Sequence, residues 1–147
     1  MTFLVFGSPR TVPAQTPDCD DALARRAEVE ADHLKTWEQI YDWFEHYSTC
    51  NEGAPAEGYS DAVVRMLADR WDQLPTFQTL VDRDKRFGKF VFQHIDATTD
   101  DHDLDLVVAN ADRHCPRGDG QLCGTIKLRA LAARSQRDEI LHRQKQH

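Results

Sequence analysis

From Asp20 onward apolar residues recur at intervals of three and four: Leu23, Ala27, Ala31, Leu34, Trp37, Tyr41, Phe44 and Tyr47. That spacing lines one side of a helix. It predicts a single long amphipathic helix over 21–47, opened by Asp18, Asp20 and Asp21, whose charges suit the positive end of the helix dipole. The stretch NEGAPAEG, 51–58, carries two glycines and a proline and predicts an exposed loop. A second helix is predicted from Ser60 as N-cap, with Asp61 in its first turn and Val63, Val64, Leu67 and Trp71 turned inward. Pro75 ends it and opens a short third helix over 75–81, where a proline at the first position is tolerated.

A fourth helix over 84–95 buries Phe87, Phe90 and Val91. A fifth spans about 100–114, and a last one starts near Gln121 after the Cys115-Pro116, Gly118 and Gly120 interruption. Alternation of period two never persists, and no glycine or asparagine hairpin turn is present. The pattern therefore predicts an all-α fold, an irregular or orthogonal bundle of five to six helices around the long N-terminal amphipathic one. Its organisation reads as a segment 1–18 that is disordered or a remnant of a signal, a single helical domain over 19–133, and a polar, frayed C-terminal tail over 134–147.

Composition sharpens this in two places. A net charge of −7 argues against a nucleic-acid binder, which usually needs a basic face, and favours solubility or a basic partner. The opening MTFLVFGSPRTVPAQTP combines a short apolar run with small residues at Val12 and Ala14, the pattern before a signal cleavage site. The apolar run is short and lacks a basic flank, so export on this signal requires a start further upstream. The expected location is periplasmic or secreted, with the cytoplasm as the alternative, and no apolar run predicts membrane insertion.

The four cysteines follow from that location. In an exported chain they predict disulfides, in a reducing compartment thiols or a metal site. A continuous helix over 21–47 is about 40 Å long, which would keep Cys19 and Cys50 apart. The expected bridge is Cys50 to Cys115, with Cys115 to Cys123 as the local alternative and Cys19 left free. The rival is a zinc site in which His46 and Cys50 share a helix face and Cys115, His114 or Cys123 complete the ligands.

Candidate chemistry centres on two stretches. In HIDATTDDHDLDLV, 94–107, the residues Asp101, Asp103 and Asp105, with Asp112 beyond it, match carboxylate positions of a calcium loop, but Leu106 occupies the place that needs glycine. The reading that fits is a helix start, with Thr99 as N-cap, acidic residues in the first turn, and Leu104, Val107, Val108 and Ala111 buried. In the 51–59 loop, Glu52, Glu57 and Tyr59 are candidate surface residues, and Glu57 or Glu52 is a candidate general acid for glycan or peptide hydrolysis. His94, near Phe90 and Val91, reads as a partly buried histidine. No hydrolase nucleophile elbow, phosphate-binding loop, dinucleotide glycine pattern or HExxH motif is present, so no cofactor is expected.

The segments CNEGAPAEGYSDAVVRMLADRWDQLP, FVFQHIDAT and RHCP resemble a group of small, typically exported, uncharacterised bacterial all-helical proteins. The resemblance covers Trp37 to Pro116 and rests on Cys50, Glu52, Gly53, Ala54, Glu57, Gly58, Trp71, Leu74, Pro75, His94, Asp96 and Cys115-Pro116. It implies an exported location and a helical fold, and no activity.

The expected function is that of a small exported helical protein that binds another protein, as an inhibitor or immunity-type partner. Its binding surface would comprise Glu52, Glu57, Tyr59, His94 and Asp96. A cell-wall hydrolase acting through Glu57 or Glu52 and a metal-binding stress protein are the alternatives.

Overall fold

The computed structural model describes residues 18–147, which fold into seven α-helices with no strand among them. They are α1 (Asp21–Ala31), α2 (Trp37–Tyr47), α3 (Gly53–Asp69), α4 (Leu74–Arg83), α5 (Lys85–Gln93), α6 (Asp101–Arg113) and α7 (Gly120–Lys145). The all-α expectation holds, and the expected signal remnant lies outside the described residues except for Asp18.

The long N-terminal helix is corrected: the chain leaves the helix after Ala31 and re-enters one at Trp37. Thr36 takes extended backbone and its Oγ1 accepts from the Gln39 N–H at 3.1 Å, while the Gln39 side chain accepts from the Lys35 N–H at 2.7 Å. This is a variant of the Thr-x-x-Gln capping box, and it ends one helix and begins the next. The apolar rhythm runs through the break because Ala27, Ala31, Leu34, Trp37, Ile40 and Trp43 all enter the same core.

The predicted 51–59 loop is also corrected. Gly53, at φ +60°, makes the turn that a side chain would strain, and α3 starts there. Pro55 sits in the first turn, where helix N–H groups lack intrahelical partners and its missing donor costs nothing. Gly58 is a helical packing contact: a Cβ there would lie 3.0 Å from the Ala31 Cβ, so its absence lets α1 and α3 cross closely.

Ser60, expected as an N-cap, is buried in the middle of α3. The N-cap of α6 is Asp100, whose carboxylate accepts from the His102 and Asp103 N–H groups, and Thr99 is buried behind it. The expected frayed tail is corrected as well, since α7 continues unbroken to Lys145, and Arg134 and Arg137 are tied to α6.

One apolar core receives residues from every helix. Its centre is aromatic: Trp37 stacks on Phe77 with ring centroids 4.3 Å apart, and Trp43 packs on Tyr59 at 4.5 Å. The polar ends of these rings are satisfied. Trp43 Nε1 donates to the Ala27 carbonyl at 2.9 Å, and the Tyr59 hydroxyl donates to the Ile40 carbonyl at 3.3 Å.

Two disulfides close the described chain. Cys19 pairs with Cys50 and Cys115 with Cys123, so the expected Cys50–Cys115 bridge and the free Cys19 are both corrected. The break after α1 explains the first pairing. With α2 turned back along α1, the two Cα atoms lie 5.1 Å apart, well within bridging range. With every cysteine bonded, the Cys-based zinc site has no thiolates to offer.

Candidate functional site

The five residues expected to form a binding surface separate into two groups. Tyr59 and His94 are core residues, 0% and 4% exposed, whereas Glu52 and Glu57 are exposed at the start of α3 and Asp96 is half-buried. The imidazole packs against the Tyr59 and Phe90 rings, at centroid distances of 4.6 and 4.7 Å. Burial drives the Tyr59 hydroxyl well above its usual value, so it stays protonated and structural.

Ser60, given only a capping role by its sequence context, joins His94 to Asp96. Its Oγ lies 2.7 Å from His94 Nδ1 and 2.8 Å from Asp96 Oδ2. Proton counting settles the directions. A carboxylate only accepts, so the single Ser60 hydroxyl proton goes to Asp96, and His94 must carry its proton on Nδ1 to donate to Ser60. His94 Nε2 is then a bare acceptor, buried without a hydrogen-bond partner.

Desolvation pushes the imidazole down to about 4, against the smaller opposing pull of Asp96 and the Ala56 backbone. Near neutrality the relay is therefore neutral histidine, serine, carboxylate. A serine 1% exposed between these groups has no room to meet a substrate; it fastens α3 to the connection between α5 and α6.

The acidic 94–107 stretch is divided by α7. Asp101 pairs with Arg134 at 3.2 Å and Arg137 at 2.7 Å, Asp105 pairs with Arg134 at 3.0 Å, and further along α6 Asp112 pairs with Lys127. Arg137 also donates to the Ala97 and Thr99 carbonyls, clamping the α5–α6 connection. Among the described residues, no group of three or more histidines, cysteines, aspartates and glutamates is arranged to hold a metal ion.

On its other side α6 presents Asp103 toward α3, which carries Glu57, Asp61, Arg65 and Asp69 at four-residue spacing along one lane. The Asp61 carboxyl is raised first by desolvation and then by Asp96, Asp103 and Glu57, with Arg65 opposing. Asp103 is raised by desolvation, then by Asp69 and Asp100, against weaker pulls from His102 and Arg65. For both groups burial and neighbouring acids outweigh the cations within reach.

No family model, curated protein or solved structure matches this chain.

The like-charge crowding has a measurable consequence. A carboxyl raised on folding binds protons more readily in the folded state, so its contribution to stability is unfavourable at neutral pH and fades as pH falls through the carboxylate range. Asp61→Asn and Asp103→Asn should each raise the melting temperature at pH 7. The gain should shrink toward zero on acidification, which paired thermal melts at neutral and acid pH will check.

Glu52 and Glu57 line neither of two surface grooves, of about 430 Å³ and 380 Å³. The first lies between α4, α5 and the start of α7, and the second between α1 and α2. No helix among the described residues is long and apolar enough to cross a membrane.

Proposed function

We propose that this is an exported helical binding protein whose α3–α6 face recognises a cationic surface on a partner protein, in the manner of an inhibitor or immunity partner. The observation that carries the reading is the uneven neutralisation of α6. Its carboxylates on one side are held in ion pairs by Arg134, Arg137 and Lys127, while Asp103, near Asp69, Asp100 and Asp61, keeps a raised carboxyl against the opposing pull of His102 and Arg65.

Keeping such charges together opposes folding, and a partner that supplies the missing cations recovers that energy on binding. Glu57 and Asp96, two of the five expected surface residues, act electrostatically on Asp61 and extend the same face in this reading. The two disulfides are compatible with an oxidising location outside the cytoplasm. The resemblance of the 50–75, 90–98 and 113–116 stretches to small exported bacterial helical proteins points the same way.

The test is capture from periplasmic or secreted protein extract on the immobilised chain, beside the variant Asp61→Lys with Asp103→Lys. A partner is expected that is retained by the parent, is lost from the variant, and is released progressively as salt is raised. A partner held equally by both proteins would reject this face.

A further inference from the structure

The α1–α2 groove is a second feature that the capping break creates. It is lined by Glu30, His33 and Leu34 from the end of α1 and the turn, and by Gln39, Asp42, Trp43, His46 and Tyr47 from α2. Leu34, Trp43 and Tyr47 give it an apolar floor. Its rim holds two carboxylates and no lysine or arginine.

The acceptors on that rim are oriented by contacts within the protein. The Tyr47 hydroxyl donates to Glu30 Oε1 at 2.8 Å, which fixes the carboxylate and leaves Oε2 available. His46 Nδ1 lies 2.7 Å from the Asp42 carbonyl; a carbonyl only accepts, so Nδ1 donates there, and in the Nδ1–H tautomer Nε2 is an acceptor. Among the described residues, neither Glu30 nor Asp42 takes part in an ion pair, although Arg26 stands one helical turn before Glu30 and acts electrostatically on Tyr47.

We infer that this groove seats an arginine side chain of a partner protein, its stem on Leu34 and Tyr47 and its guanidinium between Glu30, Asp42 and His46 Nε2. Charge complementarity selects a cation. Three acceptors spread around a low-polarity floor suit a flat group with five donors better than the compact ammonium of lysine. The occupant's identity as a partner side chain rests on the binding function proposed above, but the groove lies on different helices from the α3–α6 face and can be tested without any partner.

N-acetyl-arginine amide titrated into the labelled protein should move the resonances of His33, His46 and the Trp43 indole N–H. Glu30→Gln with Asp42→Asn should weaken this binding by about tenfold. Both changes are on exposed side chains, and the amide oxygen introduced by Glu30→Gln would still accept from the Tyr47 hydroxyl. N-acetyl-lysine amide should bind more weakly and N-acetyl-leucine amide should leave these resonances unmoved.

Absence of shifts with the arginine probe would overturn the inference, as would equal affinity for the lysine probe or an unchanged affinity in the double variant. Loss of partner capture by the Asp61 and Asp103 variant alone, with arginine binding intact, would instead concern only the α3–α6 face.

Discussion

Replacing Cys19 and Cys50 together by serine is expected to lower the unfolding free energy by about 4 kcal/mol. The bridge joins residues 31 apart in sequence, and in the chain-entropy account opening that loop releases entropy to the unfolded chain while the folded state gains none. The loop contains all of α1 and α2, so its closure fixes the hairpin that carries the α1–α2 groove. The Cys115–Cys123 bridge spans only 8 residues, and the same account gives about 2.5 kcal/mol for its removal. Urea unfolding of the two double-serine variants checks both the size and the order. A larger loss from the shorter bridge would show that native contacts around α7, and not loop closure, set the effect.

Acidification supplies the second large effect. His94 takes up its proton near 6.5 when unfolded and only at about 4 when folded. Between those values the unfolded chain binds more protons, so stability is fully present above about pH 6.5 and is lost as pH falls toward 4. The interval corresponds to about 3 kcal/mol. The raised carboxyls of Asp61 and Asp103 act in the opposite sense at the acid end, so the contribution of His94 must be isolated by difference.

His94→Asn keeps a donor near the Nδ1 position for Ser60 and removes the titrating nitrogen. Whatever its own stability, its unfolding free energy should lack the decline between pH 6.5 and 4 that the parent shows. A parallel pH dependence in both proteins would mean that the imidazole is not the buried neutral group described above. The ring's own titration, followed by NMR in the folded protein, should have its midpoint near 4.

The helical class and part of the core could be read directly from spacing, because burial of one helical side imposes a period that survives in any single sequence. Ala27, Trp37, Val63, Val64, Leu67, Phe87, Val91, Leu104 and Val107 are buried as that period requires or permits. The same logic failed at Asp32–Thr36. Two helices that feed one core keep a common rhythm across a break, and the capping signal of Thr36 and Gln39 was the only local mark of it. From that one missed break followed the wrong disulfide pairing, since the distance between Cys19 and Cys50 depends on α2 turning back.

The acidic stretch shows the same division at the level of function. That its carboxylates open a helix was legible from Leu106 and the apolar run after it. Which of them are neutralised was not, because Arg134 and Arg137 lie about thirty residues away and reach Asp101 and Asp105 only when α7 packs along α6. Ser60 likewise became the link between His94 and Asp96 through the approach of α3 to the α5–α6 connection. Local chemistry and periodicity act over a few residues and are written in the chain's order, whereas charge pairing, disulfide choice and grooves depend on distances that exist only once the helices are packed.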